Sequence, residues 1–284
     1  MSAQATTTTT ATQHDAWRTA RAQLYAEMAG ETREGRLDTA ALLRTREHFA
    51  IVGDEFEPQP YVLPQPSDGV GLICVEMPTD GARVCRSIGE HVVSGIRRLP
   101  PANEPVAYVN QEETMHLTVC HTSRPDELMP GMKARKPQEI AQLREIAARF
   151  RPFRLRPVHV LLTASGAVVM LFEGVAATTE DDDDAKQSEF AVDHLRATIQ
   201  REFSVFPTKM PRIIWHSTLA RILQPDVSQT VIDDVGAKCA AITNKLRADG
   251  VTFEAKNLWY LDETHHFWAR GERTIIPLGQ HTHE

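Results

Sequence analysis

Met115-His116-Leu117-Thr118-Val119 and Ile213-Ile214-Trp215-His216-Ser217-Thr218-Leu219 are two copies of one pattern. Each is a short apolar run that carries a histidine and, two residues on, a threonine. Side chains in an extended strand alternate between faces. His116 and Thr118 therefore point one way, and Met115, Leu117 and Val119 the other. In the second copy Ile213, Trp215 and Leu219 supply the apolar face, while His216 and Thr218 share the opposite face with Ile214 and Ala220. Each strand has one face suited to a core and one that presents an imidazole beside a hydroxyl. With 12 His in 284 residues, roughly one His-x-Thr triplet is expected by chance. The information lies in the shared strand context.

The elements around the two copies follow from periodicity and turn chemistry. Gly71–Met77 reads as a strand and Asp80–Arg98 as an amphipathic helix. Pro137 is expected to open a helix to Phe150, with Ile140, Leu143, Ile146 and Ala147 at helical spacing. Val158–Thr163 and Val168–Glu173 flank Ala164-Ser165-Gly166-Ala167 as a hairpin. Ser188 is the expected N-cap of a helix to Phe203, and a helix over Val227–Ala248 should stop at Gly250. The last strands are Val251–Leu261 and Phe267–Leu278, around Asp262-Glu263-Thr264. Hairpins at the middle and the end favour an antiparallel α+β arrangement over a parallel sheet. The expected form has two lobes, one motif strand in each, facing a groove.

Upstream, residues 1–12 are rich in Thr and Ala, without charge, and are expected to be a disordered tail. Helices near Asp15–Met28 and Asp38–His48 lead to a connector punctuated by Pro58, Pro60, Pro64 and Pro66. The expected division is a tail (1–12), a helical extension with its Pro-rich connector (13–69), one domain (70–279) and a C-terminal tail (280–284).

The run from Pro211 through Trp215-His216-Ser217-Thr218-Leu219-Ala220 to Arg221 resembles the second motif of the two-histidine (2H) phosphoesterase superfamily, the LigT-like proteins. Met115–Val119 resembles the first motif, and the order of elements between them agrees. Ser217 departs from the apolar residue usual between His and Thr. The resemblance implies a bilobal α+β fold, with two antiparallel sheets and outer helices around a central groove. It also implies a metal-independent phosphodiesterase that hydrolyses 2′,3′-cyclic phosphates of nucleotides or RNA ends. A 2′-5′ phosphodiesterase or RNA ligase-like activity, and an AMP-binding module with little turnover, are the alternatives it allows.

The residues suit that chemistry. Imidazoles titrate near neutrality, so His116 and His216 can divide the roles of general base and general acid. Thr118 and Thr218 can donate to non-bridging phosphate oxygens. Phe206, Tyr260 and Trp268 are candidate base-stacking residues. His121 falls on the face opposite His116, and His159 and His194 read as structural. Arg212 and Arg221 flank the second motif and could bias the groove towards anions. His265-His266 and His281-x-His283 lack Cys, Asp or Glu at ligand spacing, so no metal or other cofactor is expected.

A net charge of −7 argues against wrapping long nucleic acid, and the run Glu180–Asp184 reads as a solvated loop. A small nucleotide or an RNA end remains the expected partner, with no membrane partner. No apolar run is long enough to cross a bilayer. Cys74, Cys85, Cys120 and Cys239 lack Cys-x-x-Cys spacing and read as buried free thiols of a reducing compartment. The protein is expected to be a soluble monomer of the cytoplasm, with the nucleus or mitochondrion as alternative compartments.

Overall fold

The computed structural model describes residues 3–34, 37–96, 98–99, 104–177, 188–209 and 213–280. The acidic run Glu180–Asp184, Arg212, His281 and His283 lie outside the described residues. Two sheets carry the architecture. One has the order β11 (Phe253–Ala255), β8 (Phe153–Leu162), β9 (Ala167–Val175), β10 (His216–Ile222) and β6 (Ala107–Val109). The other has the order β13 (Gly271–Pro277), β12 (Asn257–Glu263), β3 (Val70–Glu76) and β7 (His116–Ser123). All neighbours in both sheets are antiparallel. The expected α+β form, with one motif strand in each sheet, is what the structure shows. Hairpin β1 (Phe49–Val52)–β2 (Glu55–Pro58) and the short pair β4 (Arg98–Leu99)–β5 (Glu104–Pro105) complete the strands of the described residues. The helices are α1 (Ala3–Glu34), α2 (Thr39–Arg46), α3 (Thr79–Val93), α4 (Met132–Ala148), α5 (Ala191–Glu202) and α6 (Gln229–Asp249).

Several boundaries differ from the sequence reading. The segment expected to be a disordered tail is helical from Ala3. Elongating a helix adds one hydrogen bond per residue fixed, so turns anchored downstream carry it forward. The helix expected to begin at Pro137 begins at Met132, after Gly131 in the left-handed conformation (φ 64°), and Pro137 sits inside it. Ser188 does not cap α5. Its hydroxyl donates to Val175 O (3.0 Å), and the helix starts after Phe190. At the far end of α6, Gly250 takes the expected left-handed stop (φ 60°).

The extension buries side chains against the five-stranded sheet. Tyr25 of α1 packs on Leu161, Ala167, Val169 and Leu171, and Phe49 and Phe56 of the hairpin pack on Tyr108 and Leu223. The Tyr25 hydroxyl donates to Phe172 O (2.8 Å) and accepts from the Trp215 N–H (3.1 Å). It thereby serves backbone groups on β9 and immediately before β10.

Both motif strands carry a bulge at the same place. Along β7 the partners of β3 step from Cys74↔Thr118 to Ile73↔Cys120, which leaves Val119 extra. Along β10 they step from Thr218↔Val169 to Ala220↔Val168, which leaves Leu219 extra. A bulged residue drops out of the ladder, so its carbonyl needs another donor. Arg196 of α5 supplies it in the first strand, with Nε to Val119 O (2.8 Å) and Nη2 to Thr118 O (2.9 Å). Asn110 supplies it in the second, with its backbone N–H to Leu219 O (2.9 Å) and Nδ2 to Thr218 O (2.7 Å). Helix α3 lies directly against this second bulge, because a Cβ on Gly89 would stand 2.9 Å from Leu219 O.

Arg196 also joins the lobes, since Nη2 donates to Ile214 O (2.8 Å) just before β10. Its neighbour Asp193 pairs with Arg21 of α1 and accepts from Trp215 Nε1 (3.1 Å). Replacing Arg196 by Met leaves the carbonyls of Val119, Thr118 and Ile214 without this donor and removes the cation 3.9 Å from Asp193. We expect a loss of about 3–5 kcal/mol, as when one partner of a buried ionic network is removed. Arg196→Lys keeps the charge and should lose less. Chemical denaturation of the two variants checks this, and a loss below about 1 kcal/mol for Arg196→Met would contradict the assignment.

Candidate functional site

His116, Thr118, His216 and Thr218 line a single cleft of about 530 Å³ between the two sheets. Strand alternation explains the placement. Leu117 and Val119 are buried on one side of β7, Ser217 and Leu219 on the corresponding side of β10, and the His-Thr pairs stay partly exposed. The Ser217 hydroxyl is buried and reaches Met115 Sδ (3.8 Å), so the departure at this position faces the inter-lobe packing. No hydrogen bond within the described residues engages the Thr118 or Thr218 hydroxyl, which leaves both as donors to the cleft.

The two nitrogens of His116 are not equivalent. Nδ1 lies 2.7 Å from Thr114 O. A carbonyl only accepts, so Nδ1 carries the proton, and Nε2 is the unprotonated nitrogen of the neutral ring. Burial pushes the pKa of His116 below its ordinary value. The Thr114 carbonyl opposes this shift, and the Arg273 charge adds to it. Arg273 in turn stacks on Trp259 (3.6 Å), whose ring centroid is 6.5 Å from that of His116.

The bulges change which residues share the groove face. Simple alternation assigns His121 to the side opposite His116 and places Ala220 beside His216. With one residue extra at this point in each strand, Cys120 and Ala220 turn into the core, and His121 and Arg221 line the cleft. The sequence signal for this is a shared spacing, a basic residue five positions after each motif histidine. Burial pushes His121 down to about 4, with Arg124 and His116 adding to the shift. Arg221 lies over the Phe267 ring (4.4 Å), has no ion-pair partner among the described residues, and its Nε is buried without a hydrogen bond. Such a cation is poised for an anion. Arg124, also in the lining, is held by Asp126 (2.8 Å). Asp126 bonds Lys209 as well, and these two cations hold its carboxyl well below the usual range.

The candidate stacking residues are not brought to the cleft. Tyr260 is wholly buried and its hydroxyl donates to Glu139 (2.5 Å). Phe206 packs against the main core. Trp268 lines a separate cavity and carries Arg270 over its ring (4.5 Å). Strand alternation and loop direction, invisible in residue type, decide this. The rings that do line the cleft are His48, Tyr61, His266 and Phe267. Of the histidines read as structural, His159 bonds Arg247 and His194 bonds His14. Arg212 lies outside the described residues. Among those residues no three His, Cys, Asp or Glu side chains cluster as a metal site, all four cysteines are free and buried, and no helix is long and apolar enough to cross a membrane.

No family model matches the sequence, and no curated protein matches it significantly. Among solved structures, the chain is similar to LigT of Escherichia coli. In its complex with 3′-AMP, LigT is 13% identical, with 74% of this chain and 95% of LigT covered and a TM-score of 0.37. TT0787 of Thermus thermophilus is 14% identical, with 74% and 98% covered and a TM-score of 0.45. A conserved protein of unknown function from Agrobacterium tumefaciens is 15% identical, with 80% and 88% covered and a TM-score of 0.45.

One further ionisable group lines the cleft. Glu263 is buried, accepts from the Tyr61 hydroxyl (2.8 Å) and from the Ala269 N–H (3.1 Å), and burial raises its pKa from 4.5 to about 7. Its folded pKa stands above its unfolded one, so the native state holds more protons between the two values. Its contribution to stability therefore falls as pH rises from about 4.5 to about 7, by up to roughly 3 kcal/mol. The stability difference between wild type and Glu263→Gln should shift across that window. A difference that stays constant there would contradict the raised value.

Proposed function

We propose that the chain is a phosphoesterase that opens 2′,3′-cyclic phosphates of nucleotides or RNA ends with a histidine pair. One observation carries the reading: two separate strands, one from each sheet, direct a histidine and a free threonine hydroxyl into the same cleft. The tautomer and lowered pKa of His116 support it as the general base. Its Nε2 takes a proton from water, the water oxygen attacks phosphorus, and a ribose oxygen–phosphorus bond breaks. His216 gives the departing oxygen its proton. Thr118 and Thr218 donate to the non-bridging oxygens, and Arg221 offsets their charge. Positioning and paired proton transfer carry the step without a metal.

Incubation with 2′,3′-cyclic mononucleotides and with 2′-5′-linked oligonucleotides, followed by product identification, tests the proposal. Monophosphate formed from the cyclic substrates supports it. Turnover confined to the 2′-5′ linkage, or nucleotide binding without turnover, would replace it. His116→Ala or His216→Ala should each remove nearly all activity, and the double variant should lose little more, because the two act as a unit. Thr118→Ala and Thr218→Ala should lose roughly 10- to 1000-fold.

The pH profile follows from the same assignment. Activity should rise with pH as His116 loses its proton, on a limb below the ordinary histidine value of about 6.5, and fall again as the acid deprotonates. A strong chelator should leave the whole curve unchanged. Activity lost on chelation and restored by a divalent metal would overturn the metal-free step.

A further inference from the structure

We propose that the N-terminal extension and the loop between β12 and β13 together form a ring-binding collar at one end of the cleft. The ligand it selects is a phosphate ester that carries a planar, uncharged ring, such as a nucleoside. The anion end of this ligand rests on the function proposed above, whereas the ring end stands on separate residues.

The two segments are joined through their backbones. Tyr61 N–H donates to Thr264 O (2.9 Å), His266 N–H donates to Gln59 O (3.0 Å), and Pro60 bridges His265. This brings rings from distant parts of the chain together. His48 stacks on His266 with centroids 3.9 Å apart and planes 18° apart, and Tyr61 leans on the other ring at 4.1 Å. Phe267 lies parallel to Phe49 at 5.9 Å. His48, Tyr61, His266 and Phe267 are all half-buried and line the cleft that holds His116 and His216.

The loop holds its rings in place at a cost. Phe267 (φ 58°) and Ala269 (φ 42°) adopt left-handed backbone that non-glycine residues rarely take. Strain of this kind persists only where surrounding contacts enforce it, and it concentrates at binding sites. The contacts here are the Ala269 N–H on Glu263, Glu263 on the Tyr61 hydroxyl, and Arg221 across Phe267. Burial, with His48 and His265 nearby, pushes His266 down to about 4, so its ring is neutral at neutral pH. The collar thus offers flat ring surfaces, the neutral His266 among them, beside a guanidinium with no ion-pair partner among the described residues. A ligand matching both has a ring at one end and an anion at the other.

Calorimetric titration of the full chain with adenosine, ribose 3-phosphate and adenosine 3′-monophosphate tests the collar, with wild type, His48→Ala, Tyr61→Ala and His48→Phe compared. We expect wild type to bind the nucleotide at least about tenfold tighter than ribose 3-phosphate, as one stacked ring supplies. His48→Ala and Tyr61→Ala should lose most of that ratio with ribose 3-phosphate affinity unchanged, and His48→Phe, which keeps a ring, should retain it. Equal wild-type affinity for the two phosphates, or an intact ratio in both Ala variants, would overturn the collar. The outcomes separate from the proposed function. Adenosine bound by wild type and lost in His48→Ala, with no phosphate ester turned over, keeps the collar and removes the enzyme. Turnover without any preference for a ring does the reverse.

Discussion

A strand with one residue too many exposes two carbonyls that its neighbour cannot serve, and both motif strands depend on how those carbonyls are met. In β7 the donor is the guanidinium of Arg196, and in β10 it is the side chain and backbone of Asn110. An unmet buried carbonyl costs about 1–3 kcal/mol, so these bonds fix where each bulge can lie. The bulge in turn decides what faces the cleft. Without it, alternation would place Cys120 and Ala220 on that face after the His and Thr. With it, His121 and Arg221 stand there instead. Arg196 adds a bond to Ile214 O, so one buried residue sets the first motif and touches the approach to the second.

The electrostatics of the cleft follow from the same burial. His116 is desolvated, bonded at Nδ1, and lies under the influence of Arg273, three effects of which only the bond to Thr114 favours the charged ring. A neutral ring with Nε2 unprotonated results, while Arg221 stays cationic with no carboxylate among the described residues to neutralise it. Arg124 is nearby but already committed to Asp126. The unpaired positive charge therefore sits beside the second motif rather than spread over the cleft, which suits a small anion better than a long polyanion.

Much of this was legible in the sequence. Alternation in the two His-x-Thr runs located the cleft-facing pairs, and hairpins at Ala164–Ala167 and near the C-terminus identified antiparallel sheets. The bulges were not legible, because apolar Val119 and Leu219 fit a regular strand as well as an irregular one. Only the matching positions of His121 and Arg221 marked them. The role of the extension was not legible for a related reason. Its contributions, Tyr25 within the β9–β10 ladder and His48 and Tyr61 in the cleft, are long-range contacts with no local pattern. The stacking residues were misplaced because aromatic character does not reveal direction: Tyr260 faces the core, and Phe267, unremarkable in sequence, is turned into the cleft by a left-handed backbone.

The central claim is that the two motifs act on one anion from opposite sheets. A crystal structure of the protein with a bound nucleoside 2′- or 3′-monophosphate tests it most directly. The account predicts a phosphate within hydrogen-bond reach of His116 Nε2, an imidazole nitrogen of His216, and the Thr118 and Thr218 hydroxyls together. A phosphate held by one motif alone, or seated away from both histidines, would contradict it.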